Sequence, residues 1–440
     1  METKTSFWQR YSAMIKMALV GILVLVLLIP SLMIRGLINE RKRNQQEVIN
    51  EVASKWGQEQ VISGPIISIP FTLTKANQNS SLEYAHFLPE TFTASGKLTT
   101  EYRYRNIFKV VGYRADLLIS GKLSKPDLSS FGRQIEANMD TTGVIIQLPV
   151  SDLKGIKDRV ILEINGIPYE MNPGLAVHDI SSSGLWCKIS LYDIFKNNPT
   201  ANYKIKLGKL DGTQRISFLP IGKETSVSLN SNWNSPSFDG SFLPETRKIK
   251  DSGFVATWKI LNLNRNFPQQ FYGSNSSLQQ SEFGVSLIQP VDHYLLSERS
   301  AKYAILFISL TFLTFFFSEI TNNRKIHPIQ YILIGLALVL FFSLLLSLSE
   351  QIGFDKAYMV AASGIIIMIV MYAQSILKNM RLTSIIGGIL ILLYGFIYII
   401  LQLENMALLF GSLGLFVILG LVMYISRKID WYNVGVKKEN

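Results

Sequence analysis

Cysteine is almost absent from this chain. Cys187 is the only one in 440 residues, so no intrachain disulfide can staple it, although a chain of this size has no need of one. Histidine is nearly as scarce, at His86, His178, His293 and His327, and no H-E-x-x-H or C-x-x-C pair begins a zinc site. There is no G-x-S-x-G elbow and no G-x-x-x-x-G-K-[ST] phosphate loop, which removes the common signatures of hydrolases and nucleotide-driven enzymes. Charge is thin too. Asp, Glu, Lys and Arg make up 17% of the residues, where a soluble domain carries about 25%. The net charge of +11 is diffuse: between Arg35 and Lys302, 31 Lys and Arg face 25 Asp and Glu. No block of like charge marks a nucleic-acid partner.

Long apolar runs are what the chain has in abundance. One extends from Ala13 to Ile34, and five more crowd between Tyr303 and Ile425. A bilayer crossing takes about 20 predominantly apolar residues, and each run comes close to that length. The reading is an α-helical membrane protein with six transmembrane helices, one N-terminal plus five C-terminal. Between the first and second spans lies a large polar insert, read as a mostly-β extracytoplasmic domain of one or two lobes.

Orientation follows from the short loops, because Lys and Arg accumulate on the cytoplasmic side. Lys4, Arg10 and Lys16 precede the first span, Arg324 and Lys325 join spans two and three, and Lys378 and Arg381 join four and five. Arg427, Lys428, Lys437 and Lys438 follow span six, whereas the alternate loops around Glu350 and Glu404 carry almost no cations. Both termini are placed in the cytoplasm and residues 37–301 in the periplasm. Arg35, Arg41, Lys42 and Arg43, just beyond the first span, dissent. No small-residue cleavage site follows Ser31 to Arg35, so the first span reads as an uncleaved signal anchor with a kink at Pro30. Ile38, Gln45, Ile49, Val52 and Trp56 then recur at helical spacing up to Gly57, as in an amphipathic stalk. The resulting division is a tail and anchor at 1–36, a stalk at 37–58, the β-rich domain at 59–301, a five-helix bundle at 302–427 and a tail at 428–440.

Within the insert, Leu98, Thr100, Tyr102 and Tyr104 alternate with Thr99, Glu101, Arg103 and Arg105 at the period of a strand. Asn165-Gly166 and Asp211-Gly212 each sit between apolar runs and predict tight hairpins. Further strands are expected at 66–71, 110–120, 144–150, 227–230 and 253–260. Phe87-Leu88-Pro89-Glu90-Thr91 recurs as Phe242-Leu243-Pro244-Glu245-Thr246, an echo that favours two lobes if it is more than a recurrent turn.

Several strings carry a family resemblance. They include Leu28-Ile29-Pro30, Trp56-Gly57-Gln58-Glu59-Gln60 and Ser231-Asn232-Trp233-Asn234. Above all, there is the stretch from His327-Pro328-Ile329-Gln330-Tyr331 through Ser349-Glu350 to Gly353-Phe354-Asp355-Lys356-Ala357-Tyr358. With these strings the chain resembles the CreD family of bacterial inner-membrane proteins over nearly its whole length. The departure is Arg105-Asn106-Ile107-Phe108, where an Arg-Gly-Ile-Tyr-like string is expected, and it puts only that turn in doubt. The resemblance implies a non-enzymatic cell-envelope-integrity protein with no cofactor. It is often controlled by an upstream two-component system linked to β-lactam and colicin responses, with the lipid bilayer and other envelope proteins as partners.

The candidate functional residues are Glu319, Arg324, His327 and Glu350. Glu319 follows Phe315, Phe316 and Phe317, and an ionised group at membrane depth calls for a role. It either snorkels towards a basic partner, Arg324 or Lys325, or relays a proton or ion. Glu350 belongs to an outer loop. His178-Asp179 with Ser181, Ser182 and Ser183 is the nearest approach to a hydrolytic constellation and reads as a polar loop. Gly387, Gly388, Gly411, Gly414 and Gly420 read as sites of close helix contact. A permease-like subunit of an export system is the alternative function, and a sensor is a third, weakened by short tails.

Overall fold

The computed structural model describes residues 12–73, 80–196, 198–288, 293–321, 326–403 and 406–427. It divides into two compact units, one of Gln46–Pro290 and one of Met1–Gln45 with Val291–Asn440.

The helical unit is built from the apolar runs. Helix α1, Ser12–Trp56, continues through Pro30 and past the membrane-length segment. It stops at Gly57, whose N–H donates to the Ala53 carbonyl at 2.9 Å and where a Cβ would meet the Asp211 carbonyl. Helices α2, His293–Lys302, and α3, Ala304–Thr321, are bent by 43° and together pass for one span. Four more follow: α4, Pro328–Ile352; α5, Phe354–Leu377; α6, Met380–Gln402; and α7, Ala407–Ser426. With the bent pair counted once, these are six membrane helices, one N-terminal and five C-terminal.

The local signals that separate the helices are legible. Gly353, at φ 82°, breaks α4 from α5, and the Asn379 side chain accepts from the N–H groups of Arg381 and Leu382 to start α6. Aromatic rings fill the middle of the bundle, with Tyr394 4.6 Å from Phe307 and 4.9 Å from Phe341 between centroids. Gly335 on α4 allows a close contact, since a Cβ there would run into Leu27 of α1. Of the glycines expected to permit contact, Gly387 lies against Val370 and Gly414 against Phe396, while Gly388, Gly411 and Gly420 have open space beside them.

The other unit packs three sheets around one buried cluster. The eight-stranded sheet has at its middle the long hairpin of Thr91–Arg105 and Phe108–Ser124, paired in unbroken register from Thr91↔Lys122 to Arg105↔Phe108. Thr200–Thr213 lies next to it, and its Ala201, Tyr203, Ile205 and Leu207 alternate inward with exposed neighbours. A six-stranded sheet and a four-stranded sheet complete the unit. The echoed strings do not mark equivalent places, since Leu88 is 6% exposed and Leu243 67%.

The Asn165-Gly166 hairpin forms as expected, with φ of 49° and 84° joining Ile161–Ile164 to Ile167–Glu170. Asp211-Gly212 is not a turn. The strand Thr200–Thr213 runs straight through it, because Asp211 is fully buried and takes 2.8 and 3.3 Å hydrogen bonds from Arg114 on the neighbouring strand. The irregular backbone falls beside it instead, at a bulge near Lys209 (φ 54°) and at Gln214 (φ 58°), after which the chain crosses to the four-stranded sheet. Cys187 faces the core at 4% exposure, and burial pushes its thiol pKa up to about 12.

Candidate functional site at the two ends of the bundle

Two polar clusters sit on the helical unit. At the first, the Glu319 carboxylate is 7% exposed. Lys16 of α1 forms an ion pair with its Oε1, the Ile326 N–H donates to the same oxygen at 3.1 Å, and the Tyr331 hydroxyl donates to Oε2 at 3.3 Å. A charge that would be costly alone in hydrocarbon is thereby paired and hydrogen-bonded. The cation comes from more than 300 residues earlier in the chain, which local sequence reading could not see. Arg324 and Lys325, the expected partners, lie outside the described residues.

His327 is nearby in sequence but has a different task. Its Nδ1 accepts from the Ile329 N–H at 3.3 Å while its own N–H donates to Gln330 Oε1 at 2.9 Å, a reciprocal cap that starts α4.

The second cluster lies at the other end of α4. Glu350 belongs to the helix rather than to a loop, and its Oε1 accepts from the Tyr294 hydroxyl at 2.9 Å with Arg41 Nε at 3.9 Å. Beside it in sequence on α1, Arg35 donates twice to the Ala301 carbonyl, from Nε at 3.2 Å and Nη2 at 2.9 Å. That carbonyl belongs to the last turn of α2, where partners within the helix run out and the helix dipole favours a cation. Arg35 and Arg41, the dissenting cations of the loop count, are therefore bound to acceptors of the bundle.

The spacing of the clusters carries physical meaning. Lys16 and Arg35 on α1 are nineteen residues apart, and so are Tyr331 and Glu350 on α4. At the helical rise that is about 28 Å, close to the thickness of a hydrocarbon core. The two clusters are thus separated by about one hydrocarbon thickness, and each ties helices together.

The β-rich unit holds a buried polar chain centred on a histidine. Ser68 Oγ is 2.9 Å from His86 Nδ1, His86 Nε2 is 3.1 Å from Asp179 Oδ2, and Gln147 Nε2 donates to Ser68 Oγ at 2.7 Å. With Gln147 donating to Ser68 and the carboxylate accepting from Nε2–H, the serine hydroxyl donates to Nδ1. Asp179 therefore engages His86 and not its neighbour His178. Ser68, His86 and Gln147 are all 0% exposed, so no substrate reaches the hydroxyl. Burial lowers the His86 pKa, with Asp179 pulling the other way, and the neutral ring pins the loop that carries Asp179 to the sheet. Among the described residues, no group of three or more His, Cys, Asp or Glu is placed to hold a metal ion.

A sequence model of the family described as "Inner membrane protein CreD" matches residues 12–432. The chain belongs to the CreD family. It is also 33% identical over 424 residues to the "Inner membrane protein CreD" of Escherichia coli (strain K12), an alignment covering 94% of this chain and 93% of the relative. This makes the chain a multi-pass inner-membrane protein of a non-enzymatic family. The strings that carry the CreD resemblance help build both ends of the bundle. His327 to Tyr331 closes over Glu319, Glu350 receives Tyr294, and Asp355 accepts from Tyr398 at 3.0 Å and Gln402 at 2.7 Å.

Proposed function

We propose that this CreD-family chain supports cell-envelope integrity from within the inner membrane, without catalysis, and contributes tolerance to envelope stress of the β-lactam or colicin type. The observation that carries this is the pair of polar clusters spaced by one membrane thickness. They give Glu319 and Glu350 bracing partners, so neither carboxylate is left as an unexplained charge. In this reading Glu319, His327 and Glu350 are structural, and Arg324 adds to the cytoplasmic charge. Both termini are cytoplasmic and residues 37–301 periplasmic, a reading supported by the loop cations and by the engagement of Arg35 and Arg41 with the bundle. The stalk at 37–58, the β-rich domain at 59–301 and the bundle at 302–427 follow the same assignment. Other envelope proteins are its partners, and a two-component system lies upstream.

The test is complementation. A strain lacking the chain should become more sensitive to a β-lactam and to detergent, and the wild-type chain should restore resistance. Unchanged sensitivity on deletion would sink the envelope reading, and an ATPase recovered with the purified chain from stressed cells would favour the permease-like alternative.

A further inference from the structure

Strand parity separates two faces of the six-stranded sheet. Ile67, Ile69, Ala85, Ile146, Leu148 and Cys187 point into the core. The opposite parity collects Pro70 paired with Tyr84, and Lys188 paired with Ile145, with Trp186 two residues before Lys188. A cavity of about 490 Å³ opens on these residues, within the range of roughly 300–1,000 Å³ that suits small ligands. Pro70 and Ile145 belong to adjacent paired strands and line the cavity between the rings of Tyr84 and Trp186. Both rings are half-buried, so each offers surface while its orientation is held by packing.

The cavity also has a polar side, formed by Asp140 and Lys188. Asp140 Oδ1 takes three donors, the Thr142 N–H at 2.9 Å, the Thr142 hydroxyl at 2.6 Å and the Gly143 N–H at 3.1 Å. Those bonds, with the nearby Lys188 charge, hold the carboxyl below the usual carboxylate range. Oδ2 has no partner among the described residues, so the side chain is fixed in place with one acceptor to spare. Aromatic rings beside an apolar floor, with an anchored acceptor and a flexible cationic donor on the same cavity, suit a molecule that is apolar on its faces and hydroxylated at its edges. A sugar ring is such a molecule: its C–H face lies against the electron-rich face of an aromatic ring while its hydroxyls reach the polar groups. A purely apolar ligand would desolvate Asp140 and Lys188 without pairing them.

We propose that this cleft binds a neutral saccharide of pyranose rings, seated between Tyr84 and Trp186 with its hydroxyls on Asp140 and Lys188. The proposal is independent of the envelope reading and of the Glu319 cluster. Its test uses the full chain in a detergent without a sugar head group, with cellobiose and N,N′-diacetylchitobiose as probes and trialanine as the contrasting class. Binding is followed by saturation-transfer NMR and tryptophan fluorescence. Saturable disaccharide binding is expected, weakened roughly tenfold, or about 1.4 kcal/mol, in Trp186→Ala and in Asp140→Asn. Asp140→Asn keeps the turn-forming acceptor and replaces only Oδ2, so it carries the test if Trp186→Ala fails to fold. Leu243→Ala, at an exposed site outside the cleft, should bind as wild type. Absence of saturable sugar binding, binding that ignores both variants, or binding of trialanine alone would overturn the proposal.

Discussion

Glu319→Gln keeps the side chain's length and leaves an acceptor for the Ile326 N–H, and it removes the ion pair with Lys16, which is 42% exposed. The cost should be about 1 kcal/mol, as for a solvent-screened pair, and envelope resistance should be nearly preserved. Glu319→Ala strands the Ile326 N–H and the Tyr331 hydroxyl in the interior, a loss of about 1–3 kcal/mol for each. Thermal unfolding of the solubilised chain checks the order of the two variants. A Gln variant that is folded but inactive would instead mark Glu319 as a proton or ion carrier. His86 gives a second prediction. Its folded pKa is lowered by burial, so near pH 6.5 and below the unfolded chain binds a proton that the folded chain resists. Stability is full above that pH and falls as pH drops through it. The decline in melting temperature between pH 7.5 and 5.5 should be shallower in His86→Gln, and equal slopes would reject a titrating role for the ring. The membrane-depth carboxylate was legible from sequence because Glu319 interrupts an apolar run. The His86 network was not, because its members lie 18, 79 and 93 residues apart.

Between elements, the close approach of α1 and α4 rests on Gly335. Any Cβ there meets Leu27 and Phe312, which are 3% and 0% exposed. Gly335→Val should therefore destabilise the solubilised chain by about 1–3 kcal/mol, the usual cost of overpacking. Gly388→Ala, where nothing lies within 4 Å, should leave the melting temperature unchanged. Equal behaviour of the two variants would show that α1 and α4 do not pack as described. Of the glycines read from the sequence as contact sites, Gly387 and Gly414 meet Val370 and Phe396 while Gly388, Gly411 and Gly420 meet nothing, and Gly335, which no such string marked, meets Leu27. Small-residue content reports where helices are able to approach, and only the packing shows where they do. The Asp211-Gly212 dipeptide fails as a turn signal for a related reason. Burial and the Arg114 pairing outweigh a local preference that is worth little by itself.

At the scale of the molecule, a labelling experiment tests which side of the membrane each unit faces. Cys187 is a poor native reporter, being 4% exposed with its thiol pKa raised to about 12. Leu243→Cys, at a 67% exposed site, should react with a membrane-impermeant maleimide in intact spheroplasts, and Arg381→Cys only after lysis. The reverse pattern would overturn the proposed topology. The sequence by itself determined the six apolar spans, the large β-rich insert, the Asn165-Gly166 hairpin and the family. Each of these is written in local periodicity, segment length or contiguous strings, so no distant contact is needed to read it. Only the tertiary structure decided that Lys16 neutralises Glu319, that Arg35 and Arg41 bind acceptors in the bundle, and that the insert has one core in place of two lobes. Those outcomes depend on pairings between residues far apart in the chain, and the stability of a buried charge is set by whichever partner folding brings to it.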